Sequence, residues 1–291
     1  MNQHLETPNL HSHSFTGNPL SRLPAFIVFA FGMLVFPLCS SANDTPETTG
    51  DEVQDMSDPL AVYTQVGVGA TNKGINIKIG QSYDTGSDKT MGMNVLEIKG
   101  GLGEVFGWDG SGQRDDSLDS LRLRNFKLDL TNGRGAQIDM SYQFDKSPLA
   151  DETGNISYSL LQGLPKMGRF NFYPLAGVGV AVGHNTLEED GSRDDSGYSI
   201  MGSFVTVGSY AKFTITDKLW LNYNPIWYST LSGSDNYEDN AYGAGEDSIL
   251  THEAAINYQF TPRFNVRYFA NWNENIDVSN GDHRVEFNYQ L

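Results

Sequence analysis

The sequence predicts an all-β fold, a transmembrane antiparallel up-and-down β-barrel of about twelve strands. Three observations predict it. From Leu60 to the final residue, apolar and polar residues alternate with a period of two, the spacing at which side chains point to opposite faces of a strand. The segments joining these runs are alternately short and long, as in a barrel with turns on one rim and loops on the other. The face opposite the apolar one is rich in Gly, Ser, Asn and Gln. That suits a crowded, wet interior better than the charged outer face of a soluble sandwich.

Residues 1–42 read as a signal peptide. An apolar run from Leu23 to Leu38 follows Arg22 and precedes Ser40-Ser41-Ala42, whose small residues predict cleavage before Asn43. As a spanning helix the same run, bracketed by Pro24 and Pro37, barely crosses a ~30 Å hydrocarbon layer. Cys39 is the sole cysteine, so cleavage leaves no thiol for a disulfide, a CxxC motif or a cysteine-held zinc ion. Phe36-Pro37-Leu38 lacks the small residues that lipoprotein processing requires before such a cysteine. Residues 43–59 are dense in Asp, Glu, Thr and Gly, too polar to order themselves alone. They are expected to form an acidic periplasmic tail, with a short luminal plug as the alternative.

The barrel itself is expected over residues 60–291. Ala136, Ile138, Met140, Tyr142 and Phe144 alternate with Gln137, Asp139, Ser141 and Gln143, and Ile75, Ile77 and Ile79 with Asn76, Lys78 and Gly80. Phe264, Val266, Tyr268, Ala270 and Trp272 likewise oppose Asn265, Arg267, Phe269, Asn271 and Asn273. Runs of this kind lie near 60–70, 74–83, 90–99, 119–131, 134–144, 155–162, 169–184, 197–215, 218–231, 248–260, 262–275 and 282–291. Ten or fourteen strands are the alternatives, because Leu121-Arg-Leu-Arg-Asn-Phe126 keeps its apolar face only if a bulge resets the phase. Gly177, Gly179, Ala181 and Gly183 oppose Val178, Val180 and Val182, small residues being what a tight interior accepts. Trp220, Trp227, Tyr228, Trp272, Phe287 and Tyr289 gather near strand ends, where interfacial aromatic girdles lie.

The formal net charge is −17 with no basic patch to offset it, so nucleic acid is not an expected partner. Acidic loops, among them Glu188-Glu189-Asp190 and Asp235 to Asp239, read first as solvated, mutually repelling loops, with weak binding of divalent cations that bridge to lipopolysaccharide as the alternative. None has the spacing of a calcium-binding EF-hand loop, and no defined metal or cofactor site is expected.

The last strand, Val285-Glu-Phe-Asn-Tyr-Gln-Leu291, resembles the β-signal that closes Gram-negative outer-membrane β-barrel proteins, here carried by Phe287, Tyr289 and Leu291. The resemblance implies insertion by the barrel assembly machinery into the cell outer membrane, with its lipid and lipopolysaccharide as surroundings. Most members end in Phe and this chain ends in Leu. Among barrels of this size the chain is similar to the small twelve-stranded oligosaccharide-specific porins. Those carry basic luminal tracks for acidic sugars, and the sequence shows no such excess.

Phosphate-loop, zinc-protease and dinucleotide motifs are missing. Histidine chemistry after cleavage is confined to His184, His252 and His283. His184-Asn185-Thr186 is thinly similar to the catalytic strand of outer-membrane phospholipase A, with Ser199 and Ser203 on the adjoining strand, but Thr186 stands where that family has its serine. No catalytic residue is therefore expected. Alternation points Lys78, Asp139, Lys212, Glu253, Arg267, Arg284 and Glu286 inward, with Arg267 near Glu253 and Glu286 in depth. These charges either line a pore or pair across it. The expected function is a porin-like channel for passive diffusion of small hydrophilic solutes; the alternatives are a closed structural or surface-interaction barrel and, further off, a lipid-modifying enzyme.

Overall fold

A computed structural model describes residues 53–71, 74–101, 120–194 and 197–291. The expected signal peptide and the first part of the expected tail lie outside the described residues. The strands are β1 (Gln65–Thr71), β2 (Ile75–Asp84), β3 (Thr90–Gly101), β4 (Ser120–Asp129), β5 (Arg134–Gln143) and β6 (Glu152–Gln162). They continue as β7 (Phe170–His184), β8 (Tyr198–Thr214), β9 (Leu219–Gly233), β10 (Ser248–Thr261), β11 (Phe264–Asn273) and β12 (Asp282–Gln290). Each pairs antiparallel with its sequence neighbours, and β1 pairs with β12 from Gln65↔Gln290 to Thr71↔Arg284, which closes the barrel.

Closure leaves no strand edge, so every ladder has a partner and no row of backbone polar groups faces the surroundings. The alternation sets the two faces. Val66, Val68, Ile77, Ile79, Leu160, Val178, Val207, Ile256 and Val285 lie exposed on the outside, Val68 at 52%, while Asn76, Asn257, Asn265 and Asn288 are fully buried inside. A closed barrel with an oily exterior and a polar interior is the outer-membrane architecture, because only lipid accepts that outer face.

Short turns at 85–89, 130–133, 163–169, 215–218 and 262–263 share one rim with both ends of the barrel. Gly133 takes φ +68° in the tight β4–β5 turn, where Gly133 N–H bonds the Asp129 carbonyl and a side chain would be strained. On the other rim, the segments 144–151, 185–197, 234–247 and 274–281 are longer. If the long-loop rim faces outward, labelling of intact cells will reach 185–194 and 234–247 and leave 130–133 and 262–263 untouched. The reverse pattern would invert the orientation.

Three details differ from expectation. The β4 ladders run through Leu121 to Phe126 without a shift in register. Alternation is strict there because Asn125, not Phe126, is on the outside, held by Asn94 and Tyr83 at 2.8 Å each. Trp220 and Tyr228 point inward rather than joining a girdle; Trp220 is 2% exposed and donates from Nε1 to Asn222 at 3.1 Å. The long segment after β9 holds a short helix, α1 (Asp235–Asn240), started by Ser234, which accepts from Tyr237 N–H.

Part of the lumen near the long-loop rim is filled. Leu149 and Ala150 from the β5–β6 connection and Tyr237 of α1 pack on Ala181, Met201 and Phe204. A methyl group at Gly179 would run into the Phe204 ring, so glycine is what lets that ring lie against β7. β1 begins at Gln65, five residues after the expected start at Leu60. Residues 53–64 run inside the barrel, and Val62 buries against Met93 and Val95.

Candidate functional site

The remaining interior is a cavity of about 830 Å³ reaching from residues 56–63 to Ser279–Asp282 on the long-loop rim. Besides Asp58, its charged side chains come from β2, β3, β4, β10, β11 and β12, while β7 and β9 carry no Asp, Glu, Lys or Arg at all. Alternation explains each placement. Lys78 sits between outward Ile77 and Ile79, and Glu286 between outward Val285 and Phe287. Glu97 and Lys99 alternate with Leu96 and Ile98, and Arg122 and Arg124 with Leu121 and Leu123.

Most of these charges form pairs along the wall. Glu286, 1% exposed, takes the Lys78 ammonium and the Asn76 amide (2.9 Å), with Arg284 Nε at 3.6 Å. Arg284 also lies 3.9 Å from Glu253 and stacks over Phe269, its guanidinium carbon 4.1 Å from the ring centroid. Arg122 grips Asp139 through two bonds, at 2.9 Å from Nε and 2.5 Å from Nη2, and Arg124 pairs with Glu97 at 2.5 Å. Such low exposure makes each carboxylate costly to remove, because its partner would be left charged and dry.

Lys212 and Arg267 are different: among the described residues, neither has a carboxylate partner on the wall. Arg267 faces Glu286 in the ladder, yet it donates from Nη2 to the Met56 carbonyl at 2.9 Å. The Lys212 ammonium bonds the Ser57 hydroxyl and lies 3.6 Å from Asp55. Both partners belong to the inner segment 53–64, called the strap below. Tyr173 of β7 donates to Asp58 at 3.0 Å, Gln259 of β10 to Met56 Sδ at 3.3 Å, and Thr64 bonds Ser82 of β2 at 2.9 Å. The strap thus passes from the β10–β11 wall across β8 and β7 to β3 and β2 before entering β1. Burial pushes the Asp55 carboxyl up, but the Ser57 hydroxyl and amide together with Lys212 outweigh it and hold it below the usual carboxylate range.

The solvated tail expected through Pro59 therefore does not describe residues 53–59. Their polarity, read as a reason for disorder, is matched by luminal cations. Met56, at 3% exposure, is the apolar anchor among them. The network expected around Arg267 is centred on Arg284 instead. Lys99, Glu97, Arg122 and Arg124 were absent from the expected lining, and the interior holds more cations than the sequence was read to place there. Strict alternation through β3 and β4 was the signal that would have found them.

No protein family and no curated protein sequence matches the chain. Solved structures are similar to it over most of the chain. The NanC porin has a TM-score of 0.48 at 10% identity, over 78% of this chain and 100% of that one. The COG4313 outer membrane channel from Pseudomonas putida F1 has a TM-score of 0.49 at 10% identity, over 85% and 100%. The translocator domain of the autotransporter NalP from Neisseria meningitidis has a TM-score of 0.45 at 13% identity, over 92% and 97%.

The histidine candidate is not assembled. His184 packs its ring on Tyr198, centroids 4.9 Å apart, while Ser199 donates to Asp194 at 3.1 Å and Ser203 bonds Ser232 at 2.7 Å. Neither serine is hydrogen-bonded to His184 among the described residues. His252 and His283 also face outward, bonded through Nδ1 to Tyr223 and Tyr268 at 2.8 and 2.9 Å. Among the described residues, no group of His, Cys, Asp and Glu is placed to hold a metal ion.

Proposed function

We propose that the protein is a porin-like channel for passive diffusion of small hydrophilic solutes. The observation that carries this reading is the polar cavity of about 830 Å³, opening among long-loop residues and lined by charged and amide side chains. The charges pair along the wall rather than across the cavity and leave its centre open, whereas the side around Phe204 is filled by apolar packing. Asn224, bonded to Glu253 at 2.9 Å, and Tyr210, bonded to Gln137 at 3.0 Å, add neutral hydrogen-bonding groups facing the charged wall. A hydrated solute can exchange water for such groups at small cost.

A closed surface barrel is the second reading, favoured by the strap across the short-turn end. Planar-bilayer recording of the purified protein separates the two. Discrete, solute-permeable current steps are expected. A correctly folded, heat-modifiable barrel that stays silent in every recording would replace the channel with the closed barrel.

A further inference from the structure

Pairing inside the barrel sets Lys212 and Arg267 apart from four other luminal cations. Lys78, Arg122, Arg124 and Arg284 lean on carboxylates of neighbouring strands, which are fixed by the ladder. Lys212, at 8% exposure, and Arg267 lean on three consecutive residues of the strap: the Asp55 carboxylate, the Met56 carbonyl and the Ser57 hydroxyl. These are oxygen acceptors presented to two cations, the arrangement by which a small oxyanion is bound. The strap lies in no ladder until Gln65. Side-chain bonds to Lys212, Arg267, Tyr173, Gln259 and Ser82 and the buried Met56, Val62 and Tyr63 hold it there, without the backbone ladder that fixes a strand.

We propose that Lys212 and Arg267 form an anion-binding site occupied by the protein's own strap, and that a small solute oxyanion competes with the strap for it. The strap is then a displaceable plug. Its departure without a replacement leaves the buried Lys212 and the half-buried Arg267 without these acceptors, so departure is coupled to anion entry. The site deepens the channel reading and rests on it only for its physiological use; the competition itself is a binding property of the folded barrel.

Val62 reports the competition, because it is 5% exposed, packs on Met93 and Val95, and lies on the strap outside the anion site. The full chain carrying Val62→Cys in a Cys39→Ser background is reconstituted in vesicles and labelled with a water-soluble maleimide. Labelling is expected to be slow in sodium chloride and at least tenfold faster in sodium phosphate of equal ionic strength, a comparison that holds screening constant. Adding Lys212→Ala and Arg267→Ala should give fast labelling in both salts. Equal rates in the two salts, or no effect of the double substitution, overturns the proposal whether or not the protein conducts. A second variant guards against misfolding at Val62. Deleting residues 53–63 from a barrel that remains heat-modifiable should raise conductance severalfold and move the reversal potential toward anions, and an unmoved potential overturns the proposal as well.

Discussion

Removing Phe287 to Leu291 is expected to abolish assembly, leaving protease-sensitive protein in place of a heat-modifiable barrel. β12 is paired on both sides: Phe287 lies opposite Val68 of β1 and Val266 of β11, and Tyr289 opposite Val66 and Phe264. The truncation unpairs both ladders near the short-turn rim, exposing backbone groups to lipid at several kcal/mol each. It also removes outward Phe287, Tyr289 and Leu291, which resemble a β-signal, and breaks the Phe264–Phe287 stack at 6.3 Å. Limited proteolysis and the electrophoretic shift between unheated and heated samples measure the outcome. A normal yield of shifted barrel would show that closure does not depend on the terminal residues.

The second large effect is expected at Glu286. Substitution by Ala strips the Lys78 ammonium, the Asn76 amide and one contact of Arg284 of their common carboxylate in a site 1% exposed. Breaking a buried pair by removing one partner costs about 3–5 kcal/mol, and urea unfolding in detergent should show a loss of that order. Glu286→Gln, which keeps hydrogen-bonding atoms and removes the charge, should fall between Ala and the natural residue. If Glu286→Ala costs no more than about 1 kcal/mol, the size of an exposed pair, then water reaches these groups and the wall is wetter than its packing implies.

The architecture was legible because a strand facing lipid on one side and water on the other writes a period of two, and a closed barrel repeats it in every strand. Strand positions, the two rims and the inward phase of Lys78 or Arg267 follow from that alone. Legibility ends where residue type and strand phase disagree. Phe126 and Trp220 are apolar residues on the luminal phase, and Asn125 is a polar residue on the lipid phase, so residue type there points to the wrong face. The strap failed for another reason. Its acidity in isolation means disorder, and only the folded barrel shows that Lys212 and Arg267 have no strand carboxylate to use. Local composition cannot report a partner a hundred or more residues away.

The strands are unequal in length, and the inequality bears on the surrounding bilayer. β8 runs for 17 residues and β1 for 7. A membrane-crossing strand commonly needs about 9–11 residues at a tilt near 45°. At a rise of about 3.3 Å per residue, β1 covers roughly 16 Å of height at that tilt, against an apolar band of about 25 Å. Its outward apolar residues are Val66, Val68 and Ala70. Lipid tails beside β1 must shorten to meet it, at fractions of a kcal/mol per Å of mismatch. This short strand lies at the β1–β12 seam, so the ease of closing the chain on itself is expected to depend on the thickness of the membrane receiving it.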